Sequence, residues 1–251
     1  MRRIMKIMFM VMFMAVSTYA ENIVVEGAAS LKYVLEELKN EFLKKPENKD
    51  NTIEVYYNSS GKIYSRIMNG FPANLFLSAD ESYPQKLFEA KKGEEPMPYA
   101  LGKLVIATTD KTLKLDDLDS VKKLLETTKN IAVANPKLAP YGVAGVDFLK
   151  KLGIYENVKD NIVLGESINQ TTQYIKTGSS KIGLTALSMV INDKDVNYFV
   201  IDQSYYNPIK QSLVLVTYKT DAKLARDFAA FVLSNEAKVI LEKYGYDQVN
   251  Q

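Results

Sequence analysis

The sequence predicts an α/β fold, with mostly parallel strands flanked by helices. Three observations lead there. Strand-like and helix-like segments alternate from the N-terminus onward. The helical segments repeat apolar residues at helical spacing, as Leu31, Val34, Leu35, Leu38 and Phe42 do, with charges on the opposite face. The chain of 251 residues is 47% hydrophobic and 25% charged, enough for a substantial core in one domain or two small lobes.

The first twenty residues are set apart. Arg2, Arg3 and Lys6 precede the apolar run IMFMVMFMAV, which is short for a bilayer span. Thr18 and Ala20 stand at the small-residue positions of a cleavage site, so a secretory signal is expected at 1–20, cut before Glu21. ENIVVEGAAS (21–30) then reads as a strand running into small residues, and SLKYVLEELKNEFLKK (30–45) as a helix with Ser30 at its N-cap. PENKDN breaks that helix. TIEVYY (52–57) is a strand, SGKIYSRIMNG (60–70) a short helix opened by Ser60, and NLFLSA (74–79) a buried strand. GEEPMPY (93–99) is polar and proline-bearing, the first candidate crossing between lobes.

The second half repeats the alternation. KLVIATT (103–109), NIAVANP (130–136), NIVLGES (161–167), KIGLTAL (181–187) and QSLVLVTY (211–218) read as strands. Segments 115–129, 141–155, 169–178 and 221–245 read as helices, the last as more than one. DQSYYNPIK (202–210) is the return crossing. No internal repeat or low-complexity tract is found.

Composition narrows the function. Setting aside Arg2, Arg3 and Lys6 takes 32 basic residues to 29 against 30 acidic ones, so the mature chain is nearly neutral and carries no nucleic-acid footprint. Cysteine is absent, which removes disulfides and any cysteine for a lipid anchor. Histidine is absent too, which rules out Ser–His–Asp and Cys–His catalysis and the commonest metal ligand.

Three loops share one physical form. GAAS leads into a helix at Ser30, NSSG at Ser60, and PYGVAG at Tyr141 and Gly142. A helix N-terminus offers unpaired N–H groups and partial positive charge, and serine hydroxyls add donors. Several such ends converging would hold a dianion without arginine. For each serine alone, an ordinary N-cap is the competing role. SSGKI fails as a phosphate loop, because Tyr56 stands where the first glycine belongs and Ile63 where a magnesium-binding hydroxyl belongs.

GAASLKYVLEEL, NSSGKIYSRIMNGFPANLFLSAD, GKLVIAT, IAVANPKLAPYGVAGVDFLKKLG and VLSNEAKVILEKYGY, in that order, resemble the periplasmic molybdate-binding proteins of ABC transporters. The resemblance covers essentially all of the mature chain. It implies a two-lobed type II periplasmic binding protein, each lobe a mostly parallel sheet, with the oxyanion in the interlobe cleft. The lobes are expected at 21–100 plus 206–251, and at 101–205.

The resemblance further implies capture of molybdate, and of tungstate, by serine hydroxyls and backbone amides, and delivery to a membrane permease. No catalysis and no cofactor are expected. Molybdenum would enter as its oxyanion, without a direct protein ligand. A periplasmic monomer is expected. Carried onto this sequence, the ligand contacts fall on Ser30, Ser60 and the amides of Tyr141 and Ile168, with Ala29 and Ser59 beside them. The family's tyrosine in a GIVYxSDA strand falls on Ala186, so that contact is missing or replaced, with Thr185, Ser188 or Tyr141 as candidates.

Two other ligands and one other class compete. Sulfate is also a dianion and is separated only by size. The pairs Tyr56–Tyr57 and Tyr205–Tyr206 resemble the ferric-iron ligands of proteins with the same fold. An exported hydrolase would use Asp80, Glu81, Asp116 or Asp117 as paired carboxylates.

Overall fold

The computed structural model describes residues 20–217 and 222–249. The signal expected at 1–20 thus lies, but for Ala20, outside the described residues, as do the end of the predicted strand 211–218 and the start of the helical segment at 221.

Two five-stranded sheets form. The first contains β1 (Asn22–Ala28), β2 (Thr52–Asn58), β3 (Leu75–Ser78), β4 (Met97–Gly102) and β10 (Ile209–Leu215), in the order β2-β1-β3-β10-β4. The second contains β5 (Leu104–Thr108), β6 (Ile131–Ala134), β7 (Ile162–Gly165), β8 (Ile182–Ala186) and β9 (Asn197–Val200), in the order β7-β6-β8-β5-β9. Each has one reversed strand. β10 runs antiparallel to β3 and β4, and β5 antiparallel to β8 and β9, while the other neighbours are parallel. The reversed strand in each sheet is the one that follows a crossing. This is the expected mostly parallel, two-sheet α/β architecture.

The crossings differ in detail from the sequence expectation. Met97–Gly102, partly inside the stretch read as a polar connection, is strand β4, and the chain passes to β5 through Lys103 alone. Pro96 and Pro98 suggested a loop. Pro98 is tolerated because β4 is the edge of its sheet. The return runs from β9 through a 3-10 turn at Gln203–Tyr205 into β10.

Helices α1 (Lys32–Leu43), α2 (Ser60–Met68), α3 (Ser82–Glu89), α8 (Lys223–Val232) and α9 (Asn235–Lys243) cover the first sheet. The apolar stripe Val34, Leu35, Leu38 and Phe42 is buried, with the Phe42 ring 5.1 Å from Phe228 and 5.5 Å from Phe231 of α8. Alternation along the strands serves the opposite face. Phe76, Val214, Ile63, Ile67 and Leu87 form a second apolar cluster beneath α2 and α3. Around the second sheet lie α4 (Leu118–Thr127), α5 (Pro140–Lys151), α6 (Tyr155–Val158) and α7 (Ile168–Lys176).

Glu26 breaks the apolar pattern of β1. Its side chain is wholly buried, with Arg66 Nη1 of α2 at 3.2 Å, and Arg66 lies 3.9 Å from the Phe71 ring. Burial pushes the carboxyl up to about 7, and the Arg66 charge opposes that shift only in part. The folded state therefore holds a proton that the unfolded chain releases near pH 4.5, so this group's contribution to stability falls as pH rises from about 4.5 to 7. Glu26→Gln is expected to be more stable than the parent at pH 8 by roughly 1–3 kcal/mol, with the gap closing near pH 4.5. Urea midpoints at the two pH values check this, and a gap independent of pH would exclude Glu26 as the titrating group.

Candidate functional site: an anion cleft between the two sheets

The expected contacts all lie just past the carboxyl ends of parallel strands. β1 ends at a 3-10 turn, Ala29–Leu31, that holds Ser30. β2 ends at Ser59 and Ser60, which open α2. β6 leads to Tyr141 in the first turn of α5, and β7 to Ile168 at the start of α7. Ligands in open α/β sheets sit at such ends.

Ser30 is not the N-cap that the sequence suggested. It lies inside the 3-10 turn, fully buried, and its hydroxyl has no hydrogen-bond partner among the described residues. Ser59 does occupy the N-cap position of α2, but it makes no side-chain cap bond and its hydroxyl is likewise buried without a partner. Where a cap is made in this chain, the bond is present: Asp117 accepts from Ser120 N–H at 2.7 Å, and Ser167 from Gln170 N–H at 3.3 Å. The hydroxyls of Ser180 and Ser212 are also buried without partners. Position separates Ser30 and Ser59 from those two.

Ser60 is oriented differently. Its Oγ accepts from the Ala79 N–H at 3.0 Å, which leaves its own proton to be donated elsewhere. On the opposite side, Pro140 is the first residue of α5, where its missing N–H costs nothing. Gly142 and Val143 N–H groups go to the Ala139 carbonyl, and Tyr141 N–H takes no acceptor among the described residues. At α7, Gln170 and Thr171 N–H go to the Ser167 hydroxyl and carbonyl, and Ile168 N–H has no acceptor among the described residues. Gly142 lets this happen. A Cβ there would lie 2.8 Å from the Ala134 carbonyl carbon, so only glycine allows α5 to start against the end of β6.

The two halves meet. Gly61 N–H donates to the Leu138 carbonyl at 2.9 Å, Ser188 Oγ donates to the Ser30 carbonyl at 2.8 Å, and Lys62 Nζ lies 2.5 Å from Glu166 Oε2. Lys62 thus meets an opposite charge from the other sheet. The second sheet also braces Ile168. Its carbonyl accepts from Thr172 Oγ1 at 2.7 Å, and Thr172 Oγ1 is 2.6 Å from Thr185 Oγ1. Thr185 therefore supports the α7 terminus from behind. Ser188 is committed to the Ser30 carbonyl, and Ala186 is buried with no polar side chain. The turn residue Ala29 is buried beside Ser30.

The competing sites do not assemble. Tyr57 donates to Glu36 at 2.8 Å, and burial, with that bond, pushes its hydroxyl far above the ordinary range, against a tyrosinate. Tyr56 bonds Glu54 on the surface, Tyr205 packs on Phe148, and the Tyr206 hydroxyl accepts from Leu104 N–H. Asp80 accepts from Ser78 and Ser82, Glu81 pairs with Lys210, and Asp117 caps α4. Sequence reasoning missed Tyr246, whose hydroxyl reaches both the Ser30 carbonyl and Ser188, each at 3.1 Å. The signal was present in the final KYGY, beyond the last helix.

The profile of a family described as bacterial extracellular solute-binding protein matches residues 23–247. The chain is 34% identical over 240 residues to the molybdate-binding protein ModA of Rhodobacter capsulatus, covering 94% of this chain and 92% of that one. It is 33% identical over 239 residues to ModA of Azotobacter vinelandii, covering 93% and 92%. Among solved structures, the periplasmic molybdate-binding protein of Azotobacter vinelandii matches with a TM-score of 0.83 at 29% identity, over 91% of this chain and 100% of that one.

A buried hydroxyl that caps nothing should not be missed by the ligand-free protein. Ser30→Ala and Ser59→Ala are expected to leave its melting temperature unchanged or slightly raised, whereas loss of a working cap would cost about 1 kcal/mol. Scanning calorimetry without ligand separates the two, and a drop of that size would assign the hydroxyl to its helix.

Proposed function

We propose that this chain, which belongs to the bacterial extracellular solute-binding protein family, captures molybdate between its two sheets and delivers it to an ABC permease. It is a binding protein and not an enzyme. The names of its relatives support the ligand, and one observation carries the site: donors without acceptors stand at the carboxyl ends of β1, β2, β6 and β7.

In this reading the Ser30, Ser59 and Ser60 hydroxyls approach the oxyanion from the first sheet, beside the Ala29 backbone. The Tyr141 and Ile168 amides approach it from the second. The α5 and α7 termini add partial positive charge. The Ser30 and Leu138 carbonyls are already occupied by donors, and Glu166 is paired with Lys62. A site that offers protons and few free acceptors suits an anion with no proton of its own. Molybdate and tungstate are fully deprotonated at neutral pH, and phosphate in part is not. Sulfate is separated by size, with the larger molybdenum oxyanion filling the cleft.

Lobes at 21–100 with 206–251, and at 101–205, would close about the two crossings. The anion favours the closed form because it contacts both lobes only there. The expected leader and the extracellular family support a periplasmic location for this work.

Calorimetric titration of the mature chain, residues 21–251, tests the reading. Molybdate and tungstate are expected to bind saturably, with sulfate and phosphate at least about tenfold weaker. Ser30→Ala and Ser60→Ala are each expected to weaken molybdate by roughly 1–3 kcal/mol, the loss of a donor to a charged acceptor. Silence with molybdate sinks the proposal. Sulfate bound equally well would keep the cleft and change its cargo.

A further inference from the structure

Behind the cleft lie two sets of buried hydrogen bonds that join residues far apart in sequence. Tyr99 of β4 lies 3.3 Å from Gln211 Oε1 and 3.4 Å from the Ser78 carbonyl. Gln211 of β10 donates through Nε2 to the Tyr141 hydroxyl at 3.4 Å. Separately, Tyr246 reaches the Ser30 carbonyl at 3.1 Å. Gln211 and all three tyrosines are buried.

Tyr246 has one phenolic proton and donates it to the Ser30 carbonyl. Ser188 supplies the second donor, so both lone pairs of that carbonyl are held. The hydroxyl of Tyr246 is itself fixed by its backbone. Gly245 turns the chain at φ +80°, and Asp247 exchanges both backbone bonds with Leu101, at 2.8 and 2.9 Å. The Ser30 turn needs such a clamp. It is a three-residue 3-10 turn, a weak geometry, and its own hydroxyl has no partner.

We propose that Tyr246 is a positioning residue of the anion site: its hydroxyl fixes the Ser30 carbonyl, together with Ser188, and keeps the Ser30 hydroxyl turned into the cleft. The inference rests on the oxyanion reading and names the support for one of its donors. It also gives Tyr246 a polar role at a site where Ala186 supplies none.

Tyr246→Phe keeps the ring and removes the hydroxyl. It is expected to weaken molybdate binding about tenfold in the parent, and less than about threefold in a Ser30→Ala background, because its effect passes through Ser30. Tyr141→Phe, which leaves the Tyr246 bond to the Ser30 carbonyl in place, is expected to weaken binding by less than Tyr246→Phe does. In the ligand-free protein, Tyr246→Phe is expected to speed amide exchange at residues 29–32 and not in α1. Equal weakening in both backgrounds, or none in the parent, overturns the proposal. If the unmutated protein binds no molybdate, the oxyanion reading falls by itself, and exchange then decides: faster exchange confined to residues 29–32 upholds the clamp, and unchanged exchange overturns it.

Discussion

Everything in this molecule is arranged around hydrogen-bond donors left without acceptors. A buried hydroxyl with no partner costs about 1–3 kcal/mol, and Ser30 and Ser59 both carry that cost. Domains are stable by only about 5–15 kcal/mol, so such groups persist where something else requires them. Their protein surroundings keep them unsatisfied by design of position. Nearby carbonyls are filled by other donors, Ala79 N–H takes the Ser60 lone pair, and Pro140 and Gly142 set α5 so that Tyr141 N–H points past its own helix.

The sheets serve the same end. Each places two adjacent parallel strands, β2 with β1 and β7 with β6, so that their carboxyl ends deliver donors. Each then accepts one reversed strand from the other side of a crossing, β10 or β5, which joins the two halves without covering those ends. Formal charge is kept away from the donors. Lys62 is neutralised by Glu166, and Glu26 is held behind α2 against Arg66. An anion met by dipoles and hydroxyls is selected by shape and protonation state more than by charge.

Much of this was legible in the sequence, because the signals are local. Alternating strands and helices, the stripe from Leu31 to Phe42, and the small residues before Ser30, Ser60 and Tyr141 are each properties of short segments. What escaped depends on distant partners. Pro98 made β4 look like a loop, since its pairing with β10 joins residues more than a hundred positions apart. Ser30 read as a cap because the intervening 3-10 turn has no composition signal of its own. Tyr246 was hidden in the final KYGY, and its meeting with Ser30 spans 216 positions. Motif likeness to a family led to the donors. It was silent on what holds them.

If the cleft opens and closes as proposed, the contacts between the halves bear on how it would switch. In the proposed closure, the hydrogen bonds between the halves, Gly61 to Leu138 and Ser188 to Ser30 among them, contribute about 0.5–1.5 kcal/mol each, and the partly exposed Lys62–Glu166 pair adds at most about 1. It also strips water from the Ser30 and Ser59 hydroxyls, at about 2–6 kcal/mol for the two. The two effects oppose each other, so in this reading closure of the empty cleft gains less than closure on the anion. An oxyanion reverses the second effect, because it accepts from the hydroxyls that closure would otherwise leave dry. The ligand thus shifts the equilibrium through the groups that penalise closure without it. A tighter interface would close the empty protein, and a site with its donors already satisfied would have no use for the anion.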